Sequence, residues 1–155
     1  MRLIQKIDRI ILGFIKKYYI LFARIAIFIV YFWFGALKLF GQSPANPLVE
    51  NLLKHTLPFI GFHEFIIMFA LFEMLIGIVF LIPGLERLAA ILLVAHLFTT
   101  FLPLMLLPAV TWQGFFTPTL EGQYIIKNVL IVASALVVMS KMNFLDEQVQ
   151  NLDRA

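Results

Sequence analysis

Residues 65–104 read FIIMFALFEMLIGIVFLIPGLERLAAILLVAHLFTTFLPL, and their reading decides the fold. Two apolar runs, each close to the ~20 residues that cross about 30 Å of hydrocarbon, are separated by Pro83-Gly84, a turn-forming pair. This is a hairpin of two membrane-spanning helices. Each run holds one ionisable residue near its middle, Glu73 in the first and His96 in the second. A charge near the bilayer centre costs at least about 2.5–3.5 kcal/mol on insertion scales, so such residues face the protein interior and carry a role.

The same pattern extends in both directions. Ile20–Phe40 is a further apolar run bounded by Arg24 and Lys38, and YIIKNVLIVASALVVM (124–139) is another, with Lys127 near its start. Expected spans are approximately 20–40, 63–82, 86–107 and 123–141. The composition agrees. Of 155 residues 62% are hydrophobic and 14% charged, and the mean hydropathy is +0.96. A soluble domain is about half apolar and about a quarter charged. The expected fold is a single all-α membrane domain over residues 1–155, a four-helix bundle. No cysteine is present, which excludes disulfides, thiolate metal sites and thiol exchange by this chain alone.

Ahead of the first span, Leu3, Ile7, Ile11, Phe14 and Tyr18 share one helical face, and Arg2, Lys6, Arg9 and Lys16 fall opposite. That spacing predicts a basic amphipathic helix in the headgroup plane. No small-x-small cleavage pattern follows, so the first apolar run reads as a retained helix. Lys and Arg cluster before the first span, in the turn at Arg87, and after the fourth span at Lys141 and Arg154. The other side offers only Lys38 and Lys54, so both termini are expected in the cytoplasm of a cell carrying the chain in its inner or plasma membrane. Between the first two spans, Asn46 as a cap and Pro47 in the first turn predict a short outer-face helix, with Leu48, Leu52 and Thr56 or Leu57 as its stripe and Pro58 and Gly61 as its end. Trp112, Phe115 and Phe116 in the last connection belong to an interfacial aromatic belt.

Each span carries one polar or small-residue stripe: Arg24, Phe28, Tyr31, Gly35 and Lys38; Ala70, Glu73 and Gly77; Ala89, His96, Thr99 or Thr100, and Pro103; Lys127 with Ser134, and Asn128 with Ile131 and Ala135. Turned inward, these make Lys38, Glu73, His96, Lys127 and Asn128 the candidate interior binding cluster. Counting depth along the helices pairs Glu73 with His96 at the midplane, as a candidate proton-handling pair. It places Lys38 and Lys127 at the outer mouth with Glu64 or Glu121. Structural alternatives exist: polar pairs that only hold helices together, and lysines that snorkel to the headgroups. Haem is disfavoured, because His55 and His63 fall near the outer surface and no second axial ligand matches the depth of His96. No metal-ligand cluster, phosphate loop or nucleophile triad is present.

RIAIFIVYFWFGALKLF (24–40), with its Trp33-Phe34-Gly35-x-x-Lys38 core, resembles the first helix of DoxX-like inner-membrane proteins, particularly the YkgB/RclC-like branch. FEMLIGIVFLIPG (72–84) resembles the E-x-x-x-G second helix of that family, and EGQYIIKNVLIVASAL (121–136) is similar to its fourth. Gly35, Lys38, Glu73, Gly77, Gly122 and Lys127 match. Gln123 stands where the family often has Arg, and Asn128 where it often has Asp, which removes a charge pair beside Lys127. The resemblance implies a four-helix membrane bundle linked to redox systems: some members are membrane partners of oxidoreductases, including a thiosulfate:quinone oxidoreductase, and the branch is linked to reactive-chlorine stress.

Three functions follow as expectations. The first is a membrane subunit or partner of a redox or oxidative-stress system, with Glu73 and His96 handling protons; no cofactor is evident in the residues, and a quinone is the class that a pocket between the helices could admit. The second is a small-solute or proton permeation unit, and the third a purely structural assembly protein. No motif supports an enzyme acting alone. The expected partners are the bilayer and either an oxidoreductase or further copies of the chain, not nucleic acid.

Overall fold

A computed structural model describes residues 2–140 and 142. Lys141 and Arg154, which enter the orientation argument, lie outside the described residues. The elements in order are α1 (Arg2–Leu39), α2 (Asn46–Thr56), α3 (Phe62–Leu81), α4 (Glu86–Leu106), α5 (Pro108–Thr111), β1 (Trp112–Gly114), β2 (Thr117–Pro118), α6 (Leu120–Ile126) and α7 (Asn128–Met139). Four helical stretches are long and apolar enough to cross a membrane: α1, α3, α4 and the combined 120–139 segment. The chain is a multi-pass membrane protein. α1 packs on α3 and α7, and α4 packs on the same two helices, so the four spans form a ring. The apolar core (Ile27, Ile76, Val79, Phe80, Ala89, Leu93, Ala135 and Val138) fills the half nearest the α3–α4 turn.

That turn sits where Pro83-Gly84 predicts it. Gly84 has φ +91°, a left-handed conformation that favours glycine. At the outer end Pro108 pushes Leu107 out of the helical region and separates α4 from α5.

Four expectations are corrected. The predicted in-plane helix before residue 20 is not a separate element. α1 runs unbroken for 38 residues, about 57 Å at 1.5 Å per residue, because no proline or turn-forming pair interrupts residues 2–39. Asn46 does not cap α2 but begins it, after Ala45, and the buried anchor of α2 is Leu53, while Thr56 and Leu57 are exposed. The fourth span begins at Leu120, three residues early, because Thr119 accepts a hydrogen bond from the Gly122 N–H at 3.2 Å and caps it. The span is also broken at Lys127. The Asn128 side chain donates to the carbonyls of Tyr124 and Ile125, at 3.3 and 3.0 Å, and so competes with the backbone ladder. The aromatic connection folds as a small antiparallel hairpin in which Phe115 and Phe116 form the exposed tip. Trp112 Nε1 donates to the Leu104 carbonyl at 3.0 Å.

Candidate functional site

Helices α1 and α3 approach closely enough to bring buried polar groups into contact. A Cβ on Gly35 would stand 2.9 Å from the Ala70 carbonyl oxygen, and one on Gly77 would stand 3.1 Å from the Phe32 nitrogen. Small residues at such crossings let backbones approach. The contacts also set the register: Gly35 faces Ala70 and Met74, whereas Phe28, Tyr31 and Phe32 face Gly77, so the helices are antiparallel.

Register and side-chain direction together assemble the site. Side chains lean toward the N-terminus of their own helix. Lys38, in the last turn of α1, therefore reaches back into the bundle, and Glu73, on antiparallel α3, leans to meet it. Lys38 Nζ donates to Glu73 Oε2 at 2.6 Å. Both side chains are under one-tenth exposed. The expected pairing of Lys38 with Glu64 or Glu121 at the outer mouth does not form, and both of those glutamates are exposed.

The other carboxylate oxygen, Glu73 Oε1, lies 3.0 Å from His96 Nε2 on α4. His96 Nδ1 lies 3.2 Å from both the Tyr31 hydroxyl and Thr100 Oγ1. Thr100 has its own acceptor in the His96 carbonyl at 3.0 Å. One proton arrangement satisfies every group: Nε2–H donates to Glu73, Tyr31 O–H donates to Nδ1, and Thr100 O–H donates to the carbonyl. This tautomer is assigned from the network. Phe69 stacks on the imidazole with centroids 5.2 Å apart, and Lys38 Nζ lies 5.8 Å from the Phe69 ring. The result is a continuous polar line, Lys38–Glu73–His96–Tyr31, contributed by α1, α3 and α4.

Lys127 and Asn128 do not join it. Lys127 is exposed, with Nζ 5.3 Å from the Tyr124 ring. Its segment runs opposite to α1, so the lean that buries Lys38 directs Lys127 toward the outer end. The Asn128 side chain is occupied by carbonyls of the preceding helix, α6.

Two contributions escaped the sequence reading. Tyr31 and Thr100 fall on the predicted inward stripes, but their spacing alone does not mark them as site residues. The signal available for Tyr31 was its position seven residues before Lys38, on the same face. The second is a clamp at the opposite end of the bundle. Arg24 Nη1 donates to the Phe80 carbonyl at 2.8 Å, and Nη2 pairs with the Glu86 carboxylate. It thereby serves a carbonyl in the last turn of α3, where carbonyls lack amide partners.

Among the described residues no three His, Asp or Glu side chains gather as a metal site. His55 and His63 are exposed at the ends of α2 and α3. The arrangement can hold a proton and shift it. A proton arriving at the Tyr31 oxygen would release the phenolic proton to Nδ1, while the Nε2 proton passes to Glu73. No protein-family model, curated protein or solved structure matches this chain.

Proposed function

We propose that this chain is a DoxX-like membrane subunit of a redox or oxidative-stress system, lying in the inner or plasma membrane with both termini cytoplasmic. In this reading the Lys38–Glu73–His96–Tyr31 line holds and moves protons for a quinone-like molecule or an oxidoreductase partner. The observation that carries it is His96, whose two nitrogens bridge a carboxylate and a phenol in the middle of the bundle. An imidazole so placed can take a proton at one nitrogen and release one at the other. The basic residues at the α3–α4 turn and along the start of α1 support the orientation. The order of the Gly35, Lys38, Glu73 and Gly77 motifs supports the DoxX-like reading.

A second reading is favoured by one observation: all four side chains are already partnered within the protein and buried, at 4–6% exposure. A closed network of that kind also serves as a clamp that specifies helix packing. Copurification separates the two. Wild type, Glu73→Gln and the double variant Lys38→Met/Glu73→Gln are solubilised, and mass spectrometry identifies bound proteins and lipid-soluble ligands. A quinone or oxidoreductase held by wild type and lost from the folded double variant supports the redox reading. Nothing bound to any of them supports the clamp.

A further inference from the structure

We infer that α1 pairs with α1 of a second copy of this chain, parallel and in register, over residues 4–25. Arg24 fixes where the bundle ends, because it is tied to the Phe80 carbonyl and to Glu86 at the α3–α4 turn. Ahead of it α1 continues unbroken past that turn for roughly 30 Å, and residues 3–17 are all exposed. Along this stretch Ile4, Ile7, Ile11, Phe14, Tyr18 and Leu21 recur at steps of three and four, with Ile25 next in line. Apart from half-buried Tyr18, every one of them is exposed. A contiguous apolar strip of this kind marks an interaction surface. Apolar residues at both heptad positions, sustained over three heptads of one straight helix, are the pattern of a coiled coil.

The occupant follows from symmetry, helical phase and charge. Copies inserted in one membrane with the same orientation are related by a two-fold axis along the membrane normal, which sets their α1 helices parallel and each seam residue opposite itself. A heptad seam is self-complementary in that arrangement, with Ile4, Ile11, Tyr18 and Ile25 at a and Ile7, Phe14 and Leu21 at d. Shifting the seam to the neighbouring line on either side brings in Lys17 or Asp8. Lys6 falls at c, and Arg9 and Lys16 at f, so two strongly basic segments meet without their basic side chains facing one another. Lys17, at g, lies across from Phe22 of the second copy. The bundle leaves the seam open. Lys17, Arg24, Tyr31 and Lys38 recur at steps of seven on the face that α1 turns toward its neighbours, and the seam lies about a third of a turn from them. It stops where α3 closes on α1: the next position, Phe28, is half-buried, and its carbonyl oxygen lies 3.2 Å from where a Cβ on Gly77 would stand.

Because the chain has no native cysteine, single cysteines in the full chain, reconstituted in lipid vesicles, report which residues face a second copy. Oxidation should cross-link Ile7→Cys, Ile11→Cys and Phe14→Cys into dimers, since a disulfide needs Cα atoms within about 7 Å and seam positions come that close. Gln5→Cys, Leu12→Cys and Lys16→Cys, on the outer side, should stay monomeric. The contrast should persist when the protein is diluted in lipid. Ile11→Glu, read through Phe14→Cys, sets like charges across the apolar seam and should weaken dimerisation about tenfold or more. Residue 11 is exposed and outside the bundle, so this variant should keep the helicity and unfolding midpoint of the monomer. Arg9→Glu reverses a charge at f and should leave the cross-linking unchanged. Equal cross-linking on both sides, or its loss on dilution, would show chance collision and overturn the proposal. So would undiminished cross-linking in Ile11→Glu. Absence of cross-links along the seam would overturn it as well, because the strip would then face lipid or a different protein. Seam cross-links that form only after residues 143–155 are deleted would identify the chain's own C-terminal segment as the occupant and exclude the second copy.

Discussion

Removing one partner of the Lys38–Glu73 pair should cost far more than removing both. The pair is 2.6 Å long and nearly dry, with side chains 6% and 8% exposed. Glu73→Gln leaves the Lys38 ammonium buried opposite a neutral amide, and Lys38→Met leaves the carboxylate with only His96 beside it. Breaking a buried pair in this way costs about 3–5 kcal/mol, whereas replacing both charges by uncharged groups of similar volume is often close to neutral. In Lys38→Met/Glu73→Gln the amide oxygen still accepts from His96 Nε2–H, so the double variant should fall within about 2 kcal/mol of wild type. Two single losses of at least ~3 kcal/mol each against a double loss of ~2 give a coupling energy of about 4 kcal/mol or more. Ordinary polar contacts between membrane helices average about 0.6 kcal/mol. The assay is reversible denaturation of the four proteins in mixed micelles, with helicity and a tertiary probe followed together. A coupling energy under about 1 kcal/mol would refute the reasoning, because it would mean that Lys38 reaches headgroups or water and that the pair is not sealed within the bundle.

Other variants test the remaining contacts in the same assay. Gly35→Ala should destabilise by about 1–3 kcal/mol, because its Cβ would press on the Ala70 carbonyl. Gly13→Ala, with open space around it, should be neutral or stabilising by up to about 1 kcal/mol. Tyr31→Phe should cost only about 0.5–1.5 kcal/mol, since Thr100 Oγ1 lies within reach of the same imidazole nitrogen. Slowed proton transfer in a reconstituted redox assay would separate a relay role for Tyr31 from a packing role. Lys127→Gln should shift stability by less than about 0.5 kcal/mol, as expected for an exposed side chain; a loss comparable with that of Lys38→Met would return Lys127 to the interior cluster.

The contrast between Lys38 and Lys127 shows which parts of this fold can be read from residue order. Spans, turns and inward faces depend on spacing along the chain. Accordingly the start of α4 at Glu86, the Pro83-Gly84 turn and the Gly35/Gly77 stripes lie where the sequence puts them, and counting residues from the outer ends brings Glu73 level with His96. Depth counted at Cα treats Lys38 and Lys127 alike, since each lies near an outer helix end. A lysine side chain is about as long as a helical turn, however, and it leans along the helix. The direction of the chain therefore decides whether the ammonium ends up inside or outside, and α1 and α6 run in opposite directions. That sign is available from topology once the spans are ordered, so the burial of Lys38 was derivable. The break at Lys127 was not, because a lone Asn128 in an apolar helix is equally compatible with an unbroken ladder. The unbroken length of α1 belongs to a third category. Residues 2–39 contain no helix-terminating signal, yet their apolar strip changes face between residues 3–14 and the residues packed on α3. One helix thus carries two amphipathic patterns about a third of a turn apart, of which the second is matched to the neighbouring helices. A change of face without a change of secondary structure places two environments on one rod, and Arg24, clamped to the α3–α4 turn, marks where the first gives way to the second.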